Sequence, residues 1–273
     1  MYTRITATVV LTILFAACTN NSSKLTILHT NDTHSHIEPE KDKSGGALNR
    51  ALLIEHITDS VGRENCLLLD CGDFSQGSLY YNVYKGEIET DLMNAMHYDA
   101  GVLGNHEFDF GLDNLAHLLK RAEFPILCAN YDFTGTVCEG LTKPYTIIER
   151  AGMRIGIFGV SPRLEGLVLK ENYEGVVFRS PLEAAQECAD TLRAQGCNLI
   201  ICLSHLGWKG QKDFDDEKIA TKTNNIDIIL GGHSHNYFEK PLRYKNRQGK
   251  EVVIQQTGKY GRHLGTLSVN LKN

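Results

Sequence analysis

Proline is scarce in this chain, 6 of 273 residues, and no segment is rich in proline or serine. Proline-rich linkers, collagen-like repeats and low-complexity disorder are thereby excluded. Long hydrophobic runs are also missing. None reaches the roughly 20 residues that a helix needs to cross about 30 Å of bilayer, so a permanent membrane span is the weaker reading. Neither sign of charge dominates, with 28 Lys and Arg against 33 Asp and Glu giving −5. That balance argues against a nucleic-acid groove or a basic membrane-binding face. Eight cysteines are present without a single Cys-x-x-Cys pair, so no cysteine-ligated zinc site is expected.

What is there begins with a leader. After Met1 to Arg4 comes an apolar stretch from Ile5 to Ala17 broken only by threonines, then the polar run Thr19 to Lys24. This pattern reads as an export signal. The small residues Ala16 and Ala17 before Cys18 resemble a bacterial lipoprotein cleavage site, with Phe15 where leucine is usual. The resemblance implies a signal peptide over 1–17, a lipidated Cys18, a short tether over 18–24 and a place at the cell envelope, facing the periplasm or the outside. Cys66, Cys128 and Cys202 lie in apolar runs, where a free thiol behaves as a small hydrophobe. Cys128 with Cys138, or Cys188 with Cys197, remain open as loop disulfides.

Strand-length apolar runs recur at Leu25 to His29, Cys66 to Asp70, Pro125 to Ala129, Tyr145 to Ile148, Arg154 to Val160, Leu199 to Leu203, Ile226 to Leu230, Val252 to Gln255 and Leu264 to Leu271. Helix-period segments separate several of them: Ala47 to Ser60, Ile88 to Met96, Asp113 to Glu123, Pro181 to Gln195 and Phe214 to Thr223. The alternation predicts one α/β domain from about Lys24 onward. Tyr80, Tyr81 and Tyr84 read as a packed helix face, with a base-stacking platform as the alternative.

Acceptors and imidazoles cluster where the strands end. The exits supply Asp32, His34, Asp73, Asn105, His106, His205, His233 and His235, and the crevice beyond the carboxyl ends of strands is where open α/β sheets bind ligands. Carboxylate, amide oxygen and imidazole without cysteine suit divalent ions of borderline character. The donor count exceeds one ion and fits two ions about 3.5 to 4 Å apart sharing a carboxylate, for which Asp73 beside Gly72 is the choice. His36 is either a second contributor behind this set or a solvated loop residue. His29, His56, His97, His117 and His263 read as structural or surface residues, Cys71 as a buried thiol behind the site, and Glu107 as a hydrogen-bonding partner within its own turn.

The ordered set Asp32-x-His34, Gly72-Asp73, Gly104-Asn-His-Glu107, His205 and Gly232-His-Ser-His235 resembles the calcineurin-like metallophosphoesterases. Within them, Leu28-His-Thr-Asn-Asp-Thr-His34, Leu103-Gly-Asn-His-Glu-Phe-Asp-Phe-Gly111 and Ala129-Asn-Tyr-Asp132 are similar to the catalytic domain of bacterial and animal 5'-nucleotidases. The resemblance implies a four-layer αββα fold, two mixed sheets between helices. It implies one ion, Zn, Mn or similar, on Asp32, His34, Asp73 and His235, the last where some members carry glutamine. The second ion falls to Asp73, Asn105, His205 and His233. His106 becomes the catalytic histidine, Asp109 the carboxylate that fixes its tautomer, and Asn105 and His106 the residues that touch substrate.

The expected reaction is attack of metal-bound hydroxide on the phosphorus of a nucleoside monophosphate or a related small phosphoester. Members acting on nucleotides usually continue into a substrate-binding domain, whereas this sequence stops at Asn273, so residues 25–273 are expected to be a catalytic domain alone. It then acts either as a free-standing, permissive enzyme or with a separately encoded substrate-binding partner. Cyclic 2',3'-nucleotides and nucleotide sugars remain open as substrates. A non-catalytic metal-binding lipoprotein would carry a broken ligand set, and none of the positions is broken. A monomer with no nucleic-acid polymer partner, held to the membrane only through lipid, completes the expectation.

Overall fold

Leucine and β-branched residues alternate between the two faces of each buried strand, and both faces are covered. The computed structural model describes residues 24–209 and 213–270. Among them the strands are β1 (Lys24–Thr30), β2 (Cys66–Asp70), β3 (Ala100–Val102), β4 (Ile126–Leu127), β5 (Tyr131–Asp132), β6 (Tyr145–Arg150), β7 (Met153–Val160), β8 (Val177–Phe178), β9 (Leu199–Ser204), β10 (Ile228–Gly231), β11 (Leu242–Lys245), β12 (Glu251–Gln255) and β13 (Gly265–Asn270). The α-helices are α1 (Ala47–Val61), α2 (Leu79–Tyr84), α3 (Glu87–Ala95), α4 (Gly111–Arg121), α5 (Pro181–Ala194) and α6 (Asp216–Lys222).

Two sheets form, in the orders β13-β1-β2-β3-β4 and β11-β12-β10-β9-β7-β6, with β5 and β8 paired apart from them. The inner strands of both are parallel, and β13, β11 and β6 run antiparallel at the edges. Leu25, Ile27, Leu67 and Leu69 of the first sheet meet Ile155, Ile157, Ile201 and Leu203 of the second in a central apolar layer. The opposite faces carry Leu28 and Leu68 toward α1, α3 and α4, and Phe158, Ile200 and Cys202 toward α5 and α6. Helix, sheet, sheet, helix is therefore the layering, the expected αββα fold. Strands buried on both sides read as nearly continuous apolar runs, which is why the sequence exposes them so clearly.

Local chemistry sets the helix starts. Ser180 caps α5 by accepting the Glu183 N–H, with Pro181 in the first turn where its missing N–H costs nothing. Asp215 caps α6 by accepting the Lys218 N–H, so that helix begins two residues later than the apolar pattern from Phe214 suggests. The run Pro125 to Ala129 contributes only the two-residue strand β4, which pairs with β3 on one side and makes an isolated bridge from Leu127 to Lys143 on the other.

Candidate active site

Five strand exits converge at one end of the sandwich. The chain leaving β1 runs beside the chain leaving β2: Asp32, His34 and Ser35 donate backbone N–H groups to the carbonyls of Gly72, Asp73 and Phe74 at 2.9 to 3.0 Å. The backbone there is forced. Asp32, His34, Asp73, His233 and His235 all have φ between 45° and 69°, a region that non-glycine residues rarely enter and that costs on the order of 1–3 kcal/mol each. Gly72 (φ 86°) backs onto Gly104 so closely that a Cβ on it would lie 2.6 Å from the Gly104 nitrogen. Two glycines are needed for those two loops to touch.

Three sets of donors lie within mutual reach: Asp32, His34 and His235; His34, Asp73 and His106; Asp73, His205 and His233. Asp32 Oδ1 is 3.2 Å from His235 Nε2, and His34 Nε2 is 3.0 Å from the same nitrogen. On the other side His205 Nδ1 lies 2.6 Å from the Cys71 carbonyl, which can only accept, so Nδ1 carries the proton and Nε2 points its lone pair at Asp73 Oδ2, 2.9 Å away. Lone pair facing carboxylate at that distance requires a proton or a cation between them. Asn105 Oδ1 is buried without a hydrogen-bond partner, and an orphaned acceptor of this kind fits a divalent ion.

Electrostatics follow. Burial opposes the charge on Asp73, yet neighbouring His205 outweighs it and holds the carboxyl well below its usual range. Burial likewise lowers His205, and Asp73 outweighs that and raises it. His233, under burial and the repulsion of His205, falls to about 4, and burial lowers His34. At neutral pH the imidazoles of His34 and His233 are therefore free bases. His106 is different: burial would lower it, but its Nδ1 lies 2.8 Å from Asp109 Oδ2 and that bond raises it. Its ring and Asp109 are each about a quarter exposed, 27% and 28%, so the free edge is open to a ligand.

A family profile for the calcineurin-like phosphoesterases matches residues 25–237. The chain belongs to that family. Similar proteins include a snake venom 5'-nucleotidase from Naja atra, 36% identical over 91% of this chain and 50% of its own length. The 5'-nucleotidase precursor from Thermus thermophilus superposes with a TM-score of 0.82 at 34% identity, over 91% of this chain and 52% of that one. The NAD nucleotidase of Haemophilus influenzae gives 0.79 at 30%, over 90% and 52%. This phosphoesterase chain thus spans about half the length of the curated relatives it matches.

The donor sets bring together Asp32, His34, Asp73, His106, His205, His233 and His235; Asn105 precedes His106 with its Oδ1 buried and unpartnered, and Cys18 lies outside the described residues. His106 and Asp109 pair as expected, and Asp73 belongs to two of the three donor sets. Glu107 reaches further than its own turn. It is fully buried and accepts the Gly104 N–H within that turn, and it also accepts Asp73 N–H and Ser75 N–H from the β2 exit, each at 3.1 Å. One carboxylate thus clamps two ligand loops, a role with no sequence signature because its partners are backbone amides. His36 stays out of the donor sets and stacks on Tyr260 at 3.8 Å. Of the three tyrosines only Tyr81 is buried, its hydroxyl on the His106 carbonyl, while Tyr80 is half-buried and donates to Glu38 and Tyr84 is exposed. The seven described cysteines, Cys71 among them, are buried free thiols, so neither open disulfide forms.

Proposed function

We propose that this chain hydrolyses nucleoside monophosphates or related small phosphoesters. The observation that carries the reading is the chain of donor sets, Asp32, His34 and His235 on one side and Asp73, His205 and His233 on the other, joined by the set of His34, Asp73 and His106. Asp32, His34, Asp73 and His235 would hold one divalent ion, and Asp73, Asn105, His205 and His233 the other. Bound there, two cations offset the charge of a phosphate dianion and lower the pKa of water. The chain's own residues do the rest. Free-base imidazoles at His34 and His233 keep their lone pairs available, and the Cys71 carbonyl fixes the tautomer of His205. Asp109 holds the proton on His106 Nδ1 and favours the charged ring, so Nε2 can donate to the leaving oxygen. The Asn105 amide nitrogen would donate to a phosphoryl oxygen.

The test is phosphate release from 5'-AMP, a 2',3'-cyclic nucleotide and p-nitrophenyl phosphate with Mn or Zn and a chelated control. Metal-dependent turnover of 5'-AMP supports the reading, and no turnover of any ester with two ions bound overturns it. In a second reading, substrate contacts come from a separate binding partner and 5'-AMP is turned over only when it is added. The pattern ahead of Cys18 supports an exported protein anchored by lipid at a bacterial cell envelope. Labelled palmitate entering the wild type and not Cys18→Ala checks the anchor.

A further inference from the structure

The exit of β12 delivers no ligand candidate to the crevice, yet the first residue past it grips a loop that carries two. Gln255 ends β12 level with Leu230 of β10, which puts Gln256 beside the loop Gly232-His-Ser-His-Asn236. Gln256 is fully buried. Its Oε1 accepts the Asn236 N–H at 3.1 Å and the Ser234 hydroxyl at 3.2 Å. Its Nε2 donates to the Gly232 carbonyl at 3.0 Å and to Asp216 Oδ2 at 3.2 Å. An amide offers two donors and two acceptor lone pairs, and here all four are used. The orientation is fixed, because the Asn236 N–H can only donate and the Gly232 carbonyl can only accept.

Gly232, Ser234 and Asn236 alternate with His233 and His235, whose φ values are 69° and 56°. Backbone of that kind persists only where its surroundings over-determine it, and Gln256 grips the residues between the two imidazoles. Asp216 in turn accepts the Ser204 hydroxyl, one residue before His205. Thr257 is tied to the other sheet. Asn31 Oδ1 accepts its N–H at 2.9 Å and its hydroxyl at 2.6 Å, while Asn31 Nδ2 donates to the Gly258 carbonyl at 2.7 Å and to Asp32 Oδ2 at 2.6 Å. The β12 exit thus links Asp32 of the first sheet to the His205, His233 and His235 loops of the second.

We propose that Gln256 is a positioning residue for the metal site, aiming His233 and His235 through the backbone and the Ser234 hydroxyl of their loop. The proposal rests on the metal-holding part of the reading above and extends it to a residue whose polar atoms are all engaged away from the ions. An uncharged amide suits the place. Beside Asp216 it donates, where a carboxylate would repel and a hydrocarbon would leave the buried Asp216 oxygen and the Asn236 N–H unpaired.

The test strips the protein by chelation and titrates it with Mn²⁺ or Co²⁺ alone, so that no turnover is needed. Gln256→Leu is expected to raise the metal Kd about 10- to 100-fold, the scale for losing a group that orients ligands. The visible bands of bound Co²⁺, which follow ligand geometry, should change with it. Ser234→Ala removes one neutral hydrogen bond to Gln256 and should raise the Kd about fivefold. Ser234 is half-buried, so its variant reports even where Gln256→Leu fails to fold. Wild-type Kd and cobalt bands in the variants overturn the proposal, and a lower urea midpoint with unchanged Kd marks a merely structural role and overturns it too. A wild type that takes up no ion overturns the metal reading and the proposal together, whereas ions bound without turnover of any ester leave the proposal standing and overturn the activity.

Discussion

Asp73 and His106 divide the work of the site, and their variants should fail differently. His106 pairs with Asp109 and is assigned to neither ion, so His106→Ala should retain its ions by elemental analysis while turnover falls about 100-fold, the scale of one lost acid. Asp73 belongs to two sets, and Asp73→Asn should deplete both ions; a fully metallated, inactive variant would contradict the bridging role. Glu107 predicts a third outcome. In Glu107→Gln an amide NH₂ must face backbone N–H groups of Asp73, Ser75 or Gly104, which costs about 1–3 kcal/mol and loosens both ligand loops. A lower urea midpoint together with weaker metal retention checks it. The ligand candidates were legible in the sequence because they lie just past apolar runs, with Asp73, Asn105 and His233 next to glycines. Glu107 was not, because a side chain that serves only backbone amides leaves no partner residue to find.

At the scale of elements, strands covered on both faces announce themselves and short edge pieces do not. β3 has three residues including a glycine, β11 is the half-exposed Leu-Arg-Tyr-Lys, and β5 and β8 are two residues each, too short for any period to register. The β1–β13 pair shows how tightly the edges fit. His29 sits opposite Gly265, and a Cβ on Gly265 would overlap its imidazole. Gly265→Ala should therefore cost about 1–3 kcal/mol by overpacking, read as a shifted denaturation midpoint. Removing the ring in a His29→Ala, Gly265→Ala double variant should recover part of that loss, a coupling that a mutant cycle measures.

For the whole molecule, the first sheet supplies Asp32, His34, Asp73, Asn105 and His106, and the second supplies His205, His233 and His235. Ions held between them would bind only the docked sandwich. Mn or Zn at 100 times its Kd should stabilise it by about 2.7 kcal/mol, seen as a higher Tm that a chelator reverses. Acid should act through His29, whose two ring nitrogens are buried without partners and whose pKa burial lowers to about 3 from 6.5. The unfolded chain binds that proton first, so this contribution is complete above pH 6.5 and falls as pH drops, by at most about 1.4 kcal/mol per unit down to about 3. Urea titrations of the wild type against His29→Phe between pH 4.5 and 7 should diverge on the acid side.

Lys24 pairs with Asn270 at the amino end of β1, and Asp32 lies beyond its carboxyl end, a strand of seven residues away, about 20 Å. Under the proposed anchor at Cys18, the attachment would therefore join the end of β1 opposite the crevice, and the ligand loops would lie at the end of the sandwich remote from it.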